Sequence, residues 1–124
     1  MGYPKAYTLQ ECVDEIVKDT HAAAKNAGWW DREITWETVP RCLMLIVSEV
    51  AEAMEGDRKD LMDDKLPNRK MLEVELADAL IRITDLAGAL DLDLGGAVVE
   101  KMAFNAERLD HKPENRKKTG GKNY

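Results

Sequence analysis

Aromatic residues are scarce in this 124-residue chain, which has one Phe and three Tyr beside three Trp. Ala, Leu, Glu, Asp and Lys dominate instead, a helix-forming composition. Cysteine is nearly absent, and Cys12 and Cys42 each fall in an apolar helical pattern. That is the mark of a small buried residue rather than of a bridge, and it suits a reducing cytosol. Positive charge is in deficit: 18 Lys and Arg against 24 Asp and Glu leave a net charge of −6. A general nucleic-acid-coating role needs a basic surface and is excluded. No apolar run reaches the ~20 residues of a membrane span, and the start at Met1 lacks the apolar segment of a signal peptide, so a cytoplasmic protein without membrane partners is expected. There is no Gly-rich phosphate loop with its Lys, no Ser-His-Asp or Cys-His arrangement, and no Glu three residues before His21 or His111, the spacing a di-iron bundle requires.

What the chain does have is two carboxylate pairs, Glu49 with Glu52 and Glu75 with Asp78. Each pair is spaced i, i+3, so on a helix its side chains lie one turn apart on one face. If the two helices are antiparallel neighbours, four acidic groups converge. Like charges a few ångströms apart repel, and without cations one or more must take up a proton. An oxygen-only ligand set selects Mg²⁺ or Mn²⁺, which carboxylates bind jointly with substrate phosphates. The flanks support this reading over that of a solvated acidic stripe. Leu43, Leu45, Ile46, Val47, Val50 and Met54 adjoin the first pair. Leu72, Leu76, Ala79, Leu80, Ile83 and Ala87 make the main apolar face of the second helix, with Val74 and Ile81 beyond the acidic line.

In chain order, Thr8 and Glu11 form a capping box for a first helix that ends at Gly28. Trp29, Trp30 and Trp36 then cluster in the connection to the second helix. Loop tryptophans commonly plug a core, but indoles are also platforms on which a nucleobase stacks, worth about 1–3 kcal/mol per base. The second helix enters through Thr35 or Thr38, carries Glu49 and Glu52, and is expected to stop at Gly56. A charged connection leads to Pro67 and Asn68, which open a third helix running to about Ala89. The short connection favours antiparallel packing. Asp93 caps a fourth helix, Leu94 to about Leu109, whose stripe starts apolar with Leu94 and Val98 and ends in Lys101, Asn105 and Arg108. Such a stripe either meets the helix dipole and solvent or binds an anion beside the acidic cluster. One all-α domain over residues 1–110 and a basic, solvated tail over 111–124 complete the organisation.

The ordered set of motifs resembles the MazG-type all-α nucleoside triphosphate pyrophosphohydrolases. Glu49-x-x-Glu52 followed by Glu75-x-x-Asp78 matches that family's signature, and Lys101, Asn105 and Arg108 match its Lys-x-x-x-Asn-x-x-Arg segment. The stretch from Leu66-Pro67-Asn68 through Asp85-Leu86-Ala87 to His111-Lys112-Pro113 is similar to compact single-domain members of bacteria and phages, and the resemblance spans residues 35 to 118. It implies a four-to-five-helix bundle, assembled as a homodimer or a homotetramer built as a dimer of dimers, in bacterial or phage-infected cytosol. It also implies that Glu49, Glu52, Glu75 and Asp78 ligate two or more Mg²⁺ ions, with Mn²⁺ as a substitute. Lys101, Asn105 and Arg108 become phosphate or sugar contacts, while Trp29 and Trp30 are expected as substrate contacts from the indole cluster itself. The implied reaction is attack of a metal-activated water at the α-phosphorus of a nucleoside triphosphate, giving monophosphate and pyrophosphate. Many members carry a further Glu where this chain has Ser48, so Glu49, Glu55 or a metal-bound hydroxide must serve here as base. The Trp cluster and the Ala-rich end of the first helix tilt the substrate toward a purine such as (d)GTP, with the pyrimidines dCTP and dUTP as the alternative. Outside the enzyme class, the competing reading is a non-enzymatic helical oligomerisation or partner-binding module whose acidic stripes pair with the basic tail.

Overall fold

The computed structural model describes residues 6–124. Among these residues five α-helices follow one another: α1 (Leu9–Asn26), α2 (Thr38–Arg58), α3 (Met71–Ala89), α4 (Leu94–Glu107) and α5 (Pro113–Arg116), the last preceded by a 3-10 turn at Leu109–His111. Among the described residues there is no strand, only an isolated antiparallel bridge between Met62 and Lys70. The fold class is all-α, as the composition predicts. No helix of the described residues is long and apolar enough to cross a membrane.

The helix ends follow local chemistry. The Thr8 hydroxyl accepts from the Glu11 N–H at 3.1 Å and the Glu11 carboxylate accepts from the Thr8 N–H at 3.3 Å, so both halves of the capping box are present. At the other end of α1, Gly28 takes φ +86°, and the Trp29 N–H reaches back to the Ala24 carbonyl. A side chain would strain that left-handed residue, which is why glycine closes the helix. Asp93 caps α4 through the Gly96 N–H at 2.9 Å.

Three boundaries differ from the sequence expectation. Neither Thr35 nor Thr38 caps α2 from the preceding position; the Thr38 hydroxyl accepts from the Thr35 N–H instead. Gly56 does not stop α2, which continues to Arg58. Its role is close approach: a Cβ there would lie 2.8 Å from the Met71 Cβ at the start of α3. Pro67 and Asn68 do not open α3 either. The Asp63 carboxylate accepts from the Lys65 and Leu66 N–H groups at 3.0 and 2.7 Å, and the Asp63 N–H donates to the Arg69 carbonyl. This local capture of backbone donors makes a turn of the segment and delays the helix to Met71.

The chain forms two compact units, Glu15–Leu92 and the pairing of Met1–Asp14 with Asp93–Tyr124. In the first, α2 and α3 are antiparallel: Gly56 meets Met71, and Glu49 meets Arg82 further along. The second half of α1 docks on α3 through Thr20, whose hydroxyl donates to that of Thr84 at 2.9 Å. Ala53, Ala79, Leu86 and Ala87 are the buried apolar residues. The three alanines let the helices approach closely, and most of the larger apolar residues stay outside the seam. Leu76, Leu80 and Ile83, expected on the inner face of α3, are 52, 49 and 38% exposed, and Leu43, Val47, Val50 and Met54 on α2 are also exposed. Cys12 is exposed, against expectation, while Cys42 is half-buried, with burial and then the Asp85 charge pushing its thiol up.

In the second unit α4 lies against the first turns of α1, where Gly95 abuts Gln10 and Asp14. The basic segment after residue 110 is tied down locally. Asp110 accepts from Lys122 Nζ at 2.8 Å and from Arg108 Nε and Nη2 at 3.1 and 2.8 Å, contacts that hold its carboxyl well below the usual range.

Candidate metal centre

Three of the four predicted carboxylates converge. Glu49 and Glu52 stand one turn apart on α2, Glu75 faces them from α3, and one carboxylate oxygen of each lies within 4.8 Å of the others. The trans oxygens of an octahedral Mg²⁺ site are about 4.2 Å apart, so the spacing fits a hard divalent cation. Asp78, one turn after Glu75, stands outside this set but close enough for the Glu49 charge to act on it. Burial first, then that charge, raises its carboxyl, and Arg82 opposes them.

The electrostatics are those of a site built for positive charge. Glu75 is only 8% exposed, and its Oε2 is buried without a hydrogen-bond partner. Burial, joined by Glu49 and Glu52 beside it, pushes Glu75 up to about 8. A buried acceptor faced mainly by other acceptors is costly unless a proton or a cation meets it. Glu49 is buried too, which acts to raise it, yet the Arg82 hydrogen bond and bonds shared with Glu75 and Glu52 hold it below the ordinary value. The Arg82 Nε donates to Glu49 Oε1 at 2.8 Å.

The other predicted positions divide. Ser48, where the resemblance has Glu, donates to the Leu45 carbonyl on its own helix at 2.6 Å. Glu55 pairs with Arg58 and Lys59 at the end of α2. Trp29 is 78% exposed, whereas Trp30 is half-buried, donating from Nε1 to Asp85 Oδ1 at 2.8 Å. The His21 Nδ1 is 2.9 Å from the same oxygen, and its ring meets Trp30 edge to face at 5.8 Å. Lys101 and Asn105 lie on α4. Lys101 sits over the Phe104 ring at 4.7 Å, and the Asn105 Oδ1 is buried without a partner. Arg108 falls just past the end of α4 in extended conformation, bonded to Asp110, so the expected three-residue helical stripe does not reach it.

Sequence reasoning passed over Arg82 and Asp85. Their signal was in the chain: Glu75, Asp78, Arg82 and Asp85 recur at +3, +7 and +10, one polar line along α3. Asp85 is seven residues past Asp78, about 10 Å along the helix axis. Glu75, the α3 member of the carboxylate cluster, and Asp85, which holds His21 and Trp30, therefore lie on one helix line, nearly three turns apart. No family model matches the chain, and no curated protein or solved structure is significantly similar to it.

Proposed function

We propose that the chain is a Mg²⁺-dependent nucleoside triphosphate pyrophosphohydrolase of the MazG type, which converts a (d)NTP to its monophosphate and pyrophosphate. One observation carries the reading: the buried Glu75 carboxylate, one oxygen of which has no hydrogen-bond partner, stands together with those of Glu49 and Glu52. Glu49, Glu52 and Glu75 hold the cation, and Asp78 flanks them. When bound, divalent ions supply neutralisation of phosphate charge and activation of water at neutral pH.

The chain's own residues do the rest. Holding Glu49 and Glu75 inside the α2–α3 seam fixes two ligands and excludes bulk water from one side of the cluster. Nearly three turns along α3 from Glu75, Trp30 and His21, oriented by Asp85, offer ring surfaces on which a base can stack, and the exposed Trp29 adjoins them in sequence. With Glu55 engaged by Arg58 and Lys59 and Glu49 by Arg82, Glu52 is the carboxylate of α2 left to take a proton from the attacking water. The same proposal makes the protein a homodimer or a dimer of dimers. Leu43, Val47, Val50 and Met54 with Leu76 and Leu80 are exposed on α2 and α3, and such a side chain gains about 1.5–3 kcal/mol when fully buried. Turnover of a triphosphate that is lost in Glu52→Ala and in Asp78→Ala, with helicity retained, supports the reading; full activity in either variant refutes it.

A further inference from the structure

The carboxylate cluster has one cation tied into it, and that cation is only partly used. Arg82 follows Asp78 by four residues on the acidic line of α3 and reaches across to α2, where its Nε donates to Glu49 at 2.8 Å. The Glu49 side chain is 12% exposed and that of Arg82 is 42% exposed, so the carboxylate lies inside and the guanidinium at the rim. Among the described residues, neither Nη group of Arg82 has a hydrogen-bond partner. A guanidinium carries five donors in a planar fork matched to carboxylate or phosphate oxygens, and here the Nε–H alone is engaged.

Arg82 and a divalent ion compete for the same oxygen. A carboxylate that ligates a divalent cation has less negative charge to offer a guanidinium, and the two cations repel each other. The contact between Arg82 and Glu49 is therefore weakened whenever a divalent ion takes that carboxylate. The guanidinium is then left at the rim of the carboxylate cluster with its fork free. We propose that Arg82 is a phosphate-binding residue held in reserve: it neutralises Glu49 until divalent ions take that carboxylate, then turns its fork to the substrate's phosphates. This assignment rests on the metal-dependent reading of the site given above.

A simple interhelical tie and a switching ligand predict different responses, and two affinities separate them. Mn²⁺ binding to the full chain without nucleotide is measured from the paramagnetic resonance signal of the free ion. Binding of inorganic tripolyphosphate, a phosphate chain without a base, is measured by calorimetry at saturating Mn²⁺. In Arg82→Ala, Mn²⁺ binds roughly fivefold tighter because a like charge and a competitor are removed. Tripolyphosphate binds about 10- to 100-fold weaker, the weight of charge-assisted hydrogen bonds. Arg82→Lys, which keeps the charge and loses the fork, falls between wild type and Arg82→Ala on the second measure. Unchanged or weaker Mn²⁺ binding in Arg82→Ala, or unchanged tripolyphosphate binding, overturns the role of Arg82 and leaves the metal site standing. Failure of the wild-type chain to bind Mn²⁺ at all overturns the metal-dependent reading and this inference together.

Discussion

Replacing Glu75 by Gln removes one charge from the cluster and keeps the shape of the side chain. In the folded chain Glu75 holds its proton to about pH 8, while its ordinary value, which applies when unfolded, is 4.5. Between these limits the folded state binds more protons than the unfolded one. The slope of stability against pH is therefore negative: the Glu75 contribution is fully retained below 4.5, falls as pH rises, and levels off above about 8. At about 1.4 kcal/mol per unit, ionised Glu75 costs the fold without a cation on the order of 5 kcal/mol. Part of that cost is recovered through Glu49, whose carboxyl is depressed partly by sharing hydrogen bonds with Glu75. In EDTA at pH 8.5, Glu75→Gln is therefore expected to be more stable than wild type by roughly 2–4 kcal/mol, a rise on the order of 10 °C in melting temperature for a domain of this size. At pH 4.5 the two should melt together. Adding Mg²⁺ should raise the melting point of the wild type, more at pH 8.5 than at pH 5.5 because the ion displaces the proton, and should do little for the variant. Thermal melts followed by circular dichroism at the two pH extremes read all of this. A variant no more stable than wild type at pH 8.5 refutes the claim that the buried carboxylate is a cost the fold carries for a cation.

Further outcomes follow from the same geometry. Trp30→Phe deletes the donor to Asp85 and should cost about 1–2 kcal/mol in urea denaturation, with base discrimination reduced if the ring pair is the stacking surface. Val50→Glu or Leu80→Glu, each placing a charge on an exposed apolar face, should convert the proposed dimer or tetramer to monomer by light scattering without loss of helicity; an unchanged mass removes these faces from the proposed interface. Deletion of residues 111–124 should leave Mn²⁺ affinity within about twofold, because the three clustered carboxylates all belong to the Glu15–Leu92 unit. Loss of assembly with metal binding unaffected would favour the non-enzymatic module.

Periodicity and spacing carried the sequence reading a long way. The box at Thr8 and Glu11, the cap at Asp93, and the meeting of Glu49, Glu52 and Glu75 all follow from i, i+3 arithmetic and antiparallel packing. Other features were hidden for physical reasons. An apolar stripe tells which face of α3 seeks cover, not whether this chain supplies it, so Leu76 and Leu80 read as core although Ala53 and Ala79 close the seam. Gly56 reads as a stop signal, yet its missing Cβ serves the approach of Met71. Asp63 gives no periodic signal at all, because its work is to capture two nearby backbone donors and turn the chain. Arg82 is one cation among many on a charged helix until the fold sets Glu49 opposite it.

The central claim, that the converging carboxylates serve hydrolysis of a nucleoside triphosphate at its α-phosphorus, is tested most directly by product analysis. The protein is incubated with Mg²⁺ or Mn²⁺ and each ribo- and deoxynucleoside triphosphate in turn, and the products are separated by anion exchange. Monophosphate and pyrophosphate from one or a few substrates, abolished by EDTA, is the predicted result. Diphosphate with orthophosphate, or no turnover of any triphosphate by the folded protein, contradicts it.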